Sequence, residues 1–194
     1  MKSCKEYRKI AWDLLTKNLG KFFVFALMCE IIISAISGTG FGFFVLGPFM
    51  VGSLLFYLRA IRGEKAEFSA FFEPILKNDL IRTIILYILK YLFILLWSLL
   101  FIIPGIIKNY SYSMAEFIAI DNLSMSAEDC IKESSKMMKG HKFKLFLLDL
   151  SFLGWYLLGV LALFIGVVFV KAYHNLARAA FYEDLKAKAI NANG

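Results

Sequence analysis

The chain has 194 residues, of which 60% are hydrophobic and 19% charged, with 20 Phe and a formal net charge of +7. That apolar share, with a mean hydropathy of +0.68, excludes an ordinary soluble domain, where apolar residues make up about 45–50%. One integral membrane domain is expected, long enough for about six spans of roughly 20 residues each.

The positive charge does not point to nucleic acid. Eighteen of the 22 basic residues fall within 2–21, 59–82, 132–144 and 186–188, which are alternate connections between apolar runs. That distribution obeys the positive-inside rule, so the expected partner is a lipid bilayer with anionic headgroups. Cys4, Cys29 and Cys130 are too widely spaced to suggest a disulfide or a metal site, and free thiols are expected. The first apolar run follows a long charged helix and lacks a small-residue cleavage site, unlike a cleavable signal.

In chain order, residues 1–20 predict an interfacial entry helix: Tyr7, Ile10, Ala11, Leu14 and Leu15 share one face, with Lys5, Lys9 and Lys17 largely elsewhere. Spans follow at about 21–37 and 43–58, joined on the outer side by the uncharged GTGFG, Gly38 to Gly42. Gly47-Pro48 lies near the start of the second, where a helix tolerates Pro best. Arg59 to Arg82 is a mixed-charge inner segment with a short surface helix. Spans three and four are expected at about 83–103 and 104–120, separated by Pro104-Gly105.

A capped amphipathic helix is predicted over 127–139. Ser126 is the N-cap and Asp129 stands three residues on; Glu128 and Asp129 suit the positive first turn, Lys136 and Lys139 the negative last turn, and Gly140 the C′ position. Ala127, Cys130, Ile131, Ser134, Met137 and Met138 fall on one face. Between membrane-length apolar runs, such a cationic helix is expected to lie flat on the inner membrane surface. Spans five and six follow at about 143–163 and 167–185, the fifth interrupted at Gly154-Trp155, with the outer turn at Phe164 to Gly166. Turning at Gly154-Trp155 instead would leave only about 11 apolar residues, short of a bilayer core. The reading is all-α: a polytopic transmembrane helical bundle of about six spans, with amphipathic inner-surface helices and both termini cytoplasmic.

Ionisable residues within spans are costly in hydrocarbon unless they meet a partner or water. At the helical rise, Lys90, Glu116, Asp149 and Arg178 lie about 6–11 Å from the cytoplasmic ends of their spans, and Glu30 lies at about 14 Å. On span six, Lys171, His174, Asn175 and Arg178 form a continuous polar stripe that must face the bundle or a water-filled cavity. The candidate layer is therefore Glu30, Lys90, Glu116, Asp149, His174, Asn175 and Arg178. Two readings stand: ion pairs that orient the spans, with Asp149 and Arg178 at matching depths, or a cytoplasm-facing cavity that binds a substrate, headgroup or peptide.

Enzyme constellations are poor. His141 and His174 are the two histidines, and neither has a second ligand at metal spacing. No phosphate loop or serine elbow occurs, so no catalytic, cofactor-binding or metal residues are assigned and no cofactor is expected. Asn109-Tyr110-Ser111 to Ser113 is a polar patch suited to interhelical hydrogen bonds.

IPGIIKNYSYSMAEF (Ile103 to Phe117), SSKMMKGHKFKLFLLDLSFLGW (Ser134 to Trp155) and AAFYEDL (Ala179 to Leu185) resemble the uncharacterised bacterial membrane family called domain of unknown function 975; RGEKAEFSAFF (Arg62 to Phe72) is a weaker match. Lys171-Ala172-Tyr173 departs from the Pro-Tyr of that family. More distantly, the order of break, span, surface helix, basic run and span is similar to the membrane domain accompanying some glycerophosphodiester phosphodiesterases, which does not contain their active site. The resemblance implies a bacterial polytopic membrane protein and supplies no activity. The expected function is non-enzymatic binding, as an accessory subunit or a membrane-stress or peptide-immunity protein with a protein or peptide partner. The alternative is a small transporter or a lipid or peptide carrier using the polar cavity.

Overall fold

A computed structural model describes residues 2–38, 42–76, 79–161 and 165–193, and its elements are helices joined by short turns. They are α1 (Cys4–Lys17), α2 (Leu19–Ser37) and α3 (Gly42–Ile61); then, after a 3-10 turn at Phe68–Phe71, α4 (Glu73–Leu76) and α5 (Leu80–Leu100). The second half holds α6 (Ile102–Ser111), α7 (Ala115–Asp121), α8 (Ala127–Met137), α9 (Lys142–Leu150), α10 (Leu153–Leu161) and α11 (Ile165–Asn193). Among the described residues, Leu19–Ser37, Leu80–Leu100 and Lys142–Leu161 are long and apolar enough to cross a membrane. Their outer faces carry large apolar side chains such as Ile31, Leu99 and Leu157, exposed by 61%, 82% and 67%. Lipid, rather than water, is the solvent such faces fit.

Helix α1 opens with a full capping box: the Glu6 N–H donates to Ser3 Oγ, and the Ser3 N–H donates to the Glu6 carboxylate. Its apolar face, Tyr7, Ala11 and Leu15, is fully buried. The cover is protein, chiefly α11, with Tyr7 edge-on to Phe181 and Trp12 against Trp155 and Tyr173. The entry helix is thus docked on the bundle along the face expected to meet lipid.

Between α2 and α3 lies an aromatic core. Phe25 stacks on Phe56 at 3.6 Å between ring centroids, and the 3-10 turn adds Phe68 and Phe71 from the side. Two glycines permit close approach to α3: a Cβ at Gly52 would come within 2.2 Å of the Phe71 carbonyl oxygen, and one at Gly47 within 2.5 Å of that of Thr83. Pro48 lies within α3, beyond its first turn.

Three predicted boundaries move. The break after α5 falls at the extended Phe101, so Pro104 and Gly105 belong to the start of α6; a first helical turn has no use for the N–H that Pro lacks. Gly105 there lies against Ser98. The fourth span, read as 104–120, is divided into α6 and α7 by a turn at 112–114. The fifth is interrupted at Ser151-Phe152, while Gly154-Trp155 is helical within α10; the Ser151 hydroxyl bonds back to the Leu148 carbonyl, at 2.6 Å, and draws the chain out of the helix.

Helix α8 begins at Ser126, whose hydroxyl accepts from the Asp129 N–H at 3.1 Å. Gly140 adopts a φ of +79°, beyond a C-cap at Met138. Ala127, Cys130, Ile131, Ser134 and Met138 are buried, packed mainly on α5 and α7. The apolar face of α8 is therefore spent on the bundle, with Lys132, Lys136 and Lys139 exposed on the other. Of the two expected outer turns, residues 39–41 and Phe164 lie outside the described residues; Gly38 ends α2, Gly42 opens α3, and Ile165 and Gly166 belong to α11. Lys77 of the inner segment also lies outside them.

Candidate functional site

The α6–α7 turn opens the site. It frees the Ser111 carbonyl and the Met114 N–H, and Ser134 on α8 meets both: its hydroxyl donates to Ser111 O at 2.7 Å and accepts from Met114 N at 3.1 Å. All three residues are buried. An unmet backbone group in such a place would cost about 1–3 kcal/mol. Mended in this way, the turn sets Glu116 at the start of α7, where its carboxylate accepts from Lys90 Nζ of α5. Both are 8% exposed.

Two further pairs involve α11. Lys171 Nζ donates to Glu30 Oε1 of α2 at 2.7 Å, a pair with both side chains partly exposed. Arg178 grips Asp149 of α9 through Nε and Nη2, the Nε contact being 3.1 Å. His174, one turn back, brings Nε2 to 2.7 Å from Asp149 Oδ1 and Nδ1 to 3.0 Å from the Tyr156 hydroxyl. Because a carboxylate only accepts, His174 donates from Nε2 to Asp149, and its Nδ1 pairs with the Tyr156 hydroxyl. Phe152 stacks on the imidazole at 4.6 Å.

A cavity of about 470 Å³ opens between these helices. Glu30, Lys90, Glu116, Asn175 and Arg178 of the predicted layer line it, with Lys171 and Tyr156. Asp149 and His174 stand behind Arg178 and Tyr156, one layer from the space. Asn109, Tyr110 and Ser113 of the polar patch reach the same wall. The sequence analysis did not single out Tyr156, although it follows Asp149 by seven residues, a helical repeat that puts both on one face. It also passed over Ser134, for which a single serine on an amphipathic face gives no signal.

A second polar cluster ties the helices at 121–186. Asp121 accepts from Arg62 at 2.8 Å, Tyr182 at 2.8 Å and Lys186 at 2.6 Å, and Arg62 also reaches Glu183. Burial pushes the Asp121 carboxyl up, but bonds from Lys186, Arg62 and Tyr182 outweigh it and hold the group below the ordinary carboxylate range. Arg82, braced by Asp79, donates to the carbonyls of Ala119, Asn122 and Met125 and so closes the end of α7. Among the described residues no group of three or more His, Cys, Asp or Glu could hold a metal ion.

Membrane-length apolar helices around a paired polar interior define an all-α membrane protein. Residues 99–189 match the model of the family described as Protein of unknown function (DUF975), and the resemblance carried by Ile103 to Phe117, Ser134 to Trp155 and Ala179 to Leu185 is borne out over that range. Arg62 to Phe72 lies outside the match. No curated protein and no solved structure matches the chain.

Proposed function

We propose that the protein is a non-enzymatic binding protein of the bacterial cytoplasmic membrane, six spans deep with both termini inside, and that its ligand occupies the cavity between α2, α5, α7 and α11. One observation carries the reading. A space of about 470 Å³ is kept open among ion-paired side chains, within the about 300–1,000 Å³ typical of ligand sites. A bundle held merely by ion pairs would close around them, since interiors pack to near-crystalline density. An accessory, membrane-stress or peptide-immunity role would be served by a ligand or peptide held there. Transport is the alternative, and it needs in addition a route from the cavity to the outer face.

Ala26 lines the cavity, and Ala26→Trp fills it without touching a charge. Native mass spectrometry of the detergent-purified protein should detect a co-purifying small molecule or peptide on the wild type and lose it from the variant, with helicity unchanged. A wild type free of adducts, and a variant more stable than it, would leave the cavity with no binding role.

A further inference from the structure

The charges around the cavity are balanced. Lys90 and Lys171 line it with Glu116 and Glu30, their respective partners, and Arg178 lines it with Asp149 directly behind. Three cations, Lys90, Lys171 and Arg178, meet three anions, Glu116, Glu30 and Asp149. The pairs sit on different helices, α5 with α7, α2 with α11, and α9 with α11, so both signs face the space from separate sides. A net-charged occupant would add one unpaired charge to this low-dielectric interior, which is unfavourable even after water relieves part of the cost. A wholly apolar occupant would strip water from paired but still hydrogen-bonding groups and return nothing.

We infer that the cavity takes a zwitterion: a small molecule or headgroup bearing one ammonium and one carboxylate or phosphodiester, with no net charge. The inference rests on the binding reading above and adds the chemical class. Two groups have capacity left for it. Glu30 and Lys171 are 35% and 42% exposed in their side chains, so the Glu30 carboxylate has a free edge for an ammonium. Arg178 spends Nε and Nη2 on Asp149, and Nη1 is left to donate to the anionic end. Asn175, one turn along α11 from Lys171, lies on the wall between them and can bond to either end.

The test uses the full chain in a non-ionic maltoside and probes matched in size but not in charge: alanylalanine (zwitterion), N-acetyl-alanylalanine (monoanion) and alanyl-alaninamide (monocation). A headgroup pair, glycerophosphoethanolamine (zwitterion) and glycerophosphoglycerol (monoanion), runs beside them. Binding is read by calorimetry at one pH and one salt concentration. At least one zwitterion should bind, and its charged counterparts should bind at least about tenfold more weakly, a difference of about 1.4 kcal/mol. Which zwitterion binds distinguishes a peptide or amino-acid ligand from a lipid headgroup. Glu30→Gln leaves one cation in excess and should turn the preference to the monoanion; Lys171→Met should turn it to the monocation, which covers the case in which one of the two variants fails to fold. Equal or tighter binding of a charged probe by the wild type overturns the zwitterion assignment while keeping the cavity as a binding site. Silence from every probe, with Ala26→Trp also losing no co-purifying ligand, removes the site itself.

Discussion

Asp149 accepts from two residues one turn apart on α11, His174 and Arg178, so deleting either end strands the other. Asp149→Asn and Arg178→Gln should each lower the yield and thermal stability of purified protein, and the double variant should lose less than the two single losses combined. Residues sharing a pair couple by about 0.5–3 kcal/mol; purely additive losses would mean that the pair contributes nothing. Ser134 works differently, because its partners are backbone groups. Ser134→Ala should cost about 1–3 kcal/mol in denaturant unfolding, and Ser134→Thr, which keeps the hydroxyl, should recover most of it. A Ser134→Ala variant as stable as the wild type would mean that these two hydrogen bonds contribute nothing to holding the turn. The polar layer itself was legible because charge within an apolar run is rare and expensive. Its partners were less so: Glu30 meets Lys171, 141 positions away, and nothing in the sequence ranks that cation above Arg178 or Lys90.

At the level of elements, α8 shows what a local pattern can and cannot disclose. Ser126, Asp129 and Gly140 marked its ends because capping depends on near neighbours. Its amphipathic face was equally plain, but an apolar stripe fits lipid and a protein groove alike, and Cys130 and Met138 went to the second. The α6–α7 turn was hidden for a related reason: Tyr112, Ser113 and Met114 include no helix breaker, and the bond that sustains the turn comes from another helix. Asp121 fastens α7 to Arg62, just after α3, and to α11. Its carboxyl is depressed in the folded protein, so the stabilisation it contributes is present above the unfolded value of about 3.9 and fades as pH falls through the lower folded value. Asp121→Asn should cost about 3 kcal/mol at neutral pH, the low end of the range for broken buried pairs, because Arg62 and Lys186 reach water. It should also remove part of the loss of stability seen on acidification below about pH 4. A variant whose acid limb matches the wild type would assign that sensitivity to other carboxylates.

For the molecule as a whole, the all-α membrane class follows from composition, whereas the path of each helix depends on contacts that composition does not encode. The proposed topology is checked by single cysteines introduced into a variant lacking Cys4, Cys29 and Cys130. Ser37→Cys and Leu161→Cys, at helix ends read as outer, should react with an impermeant thiol reagent added to intact cells, and Lys188→Cys should react only after lysis. Labelling of Lys188→Cys from outside would reverse the orientation of α11 and with it the side from which the cavity is entered. The seam between α6 and α7 also bears on how the protein is made. Its cover, Ser134, lies 20 residues beyond Met114, so the ribosome delivers the opening before the hydroxyl that closes it. A released chain truncated at Asn122 lacks the hydroxyl that covers these two peptide groups, and one truncated just past Gly140 retains it. Quality-control proteases of the membrane should therefore clear the shorter fragment faster in a pulse-chase experiment, and Ser134→Ala should shorten the lifetime of the longer fragment toward that of the shorter.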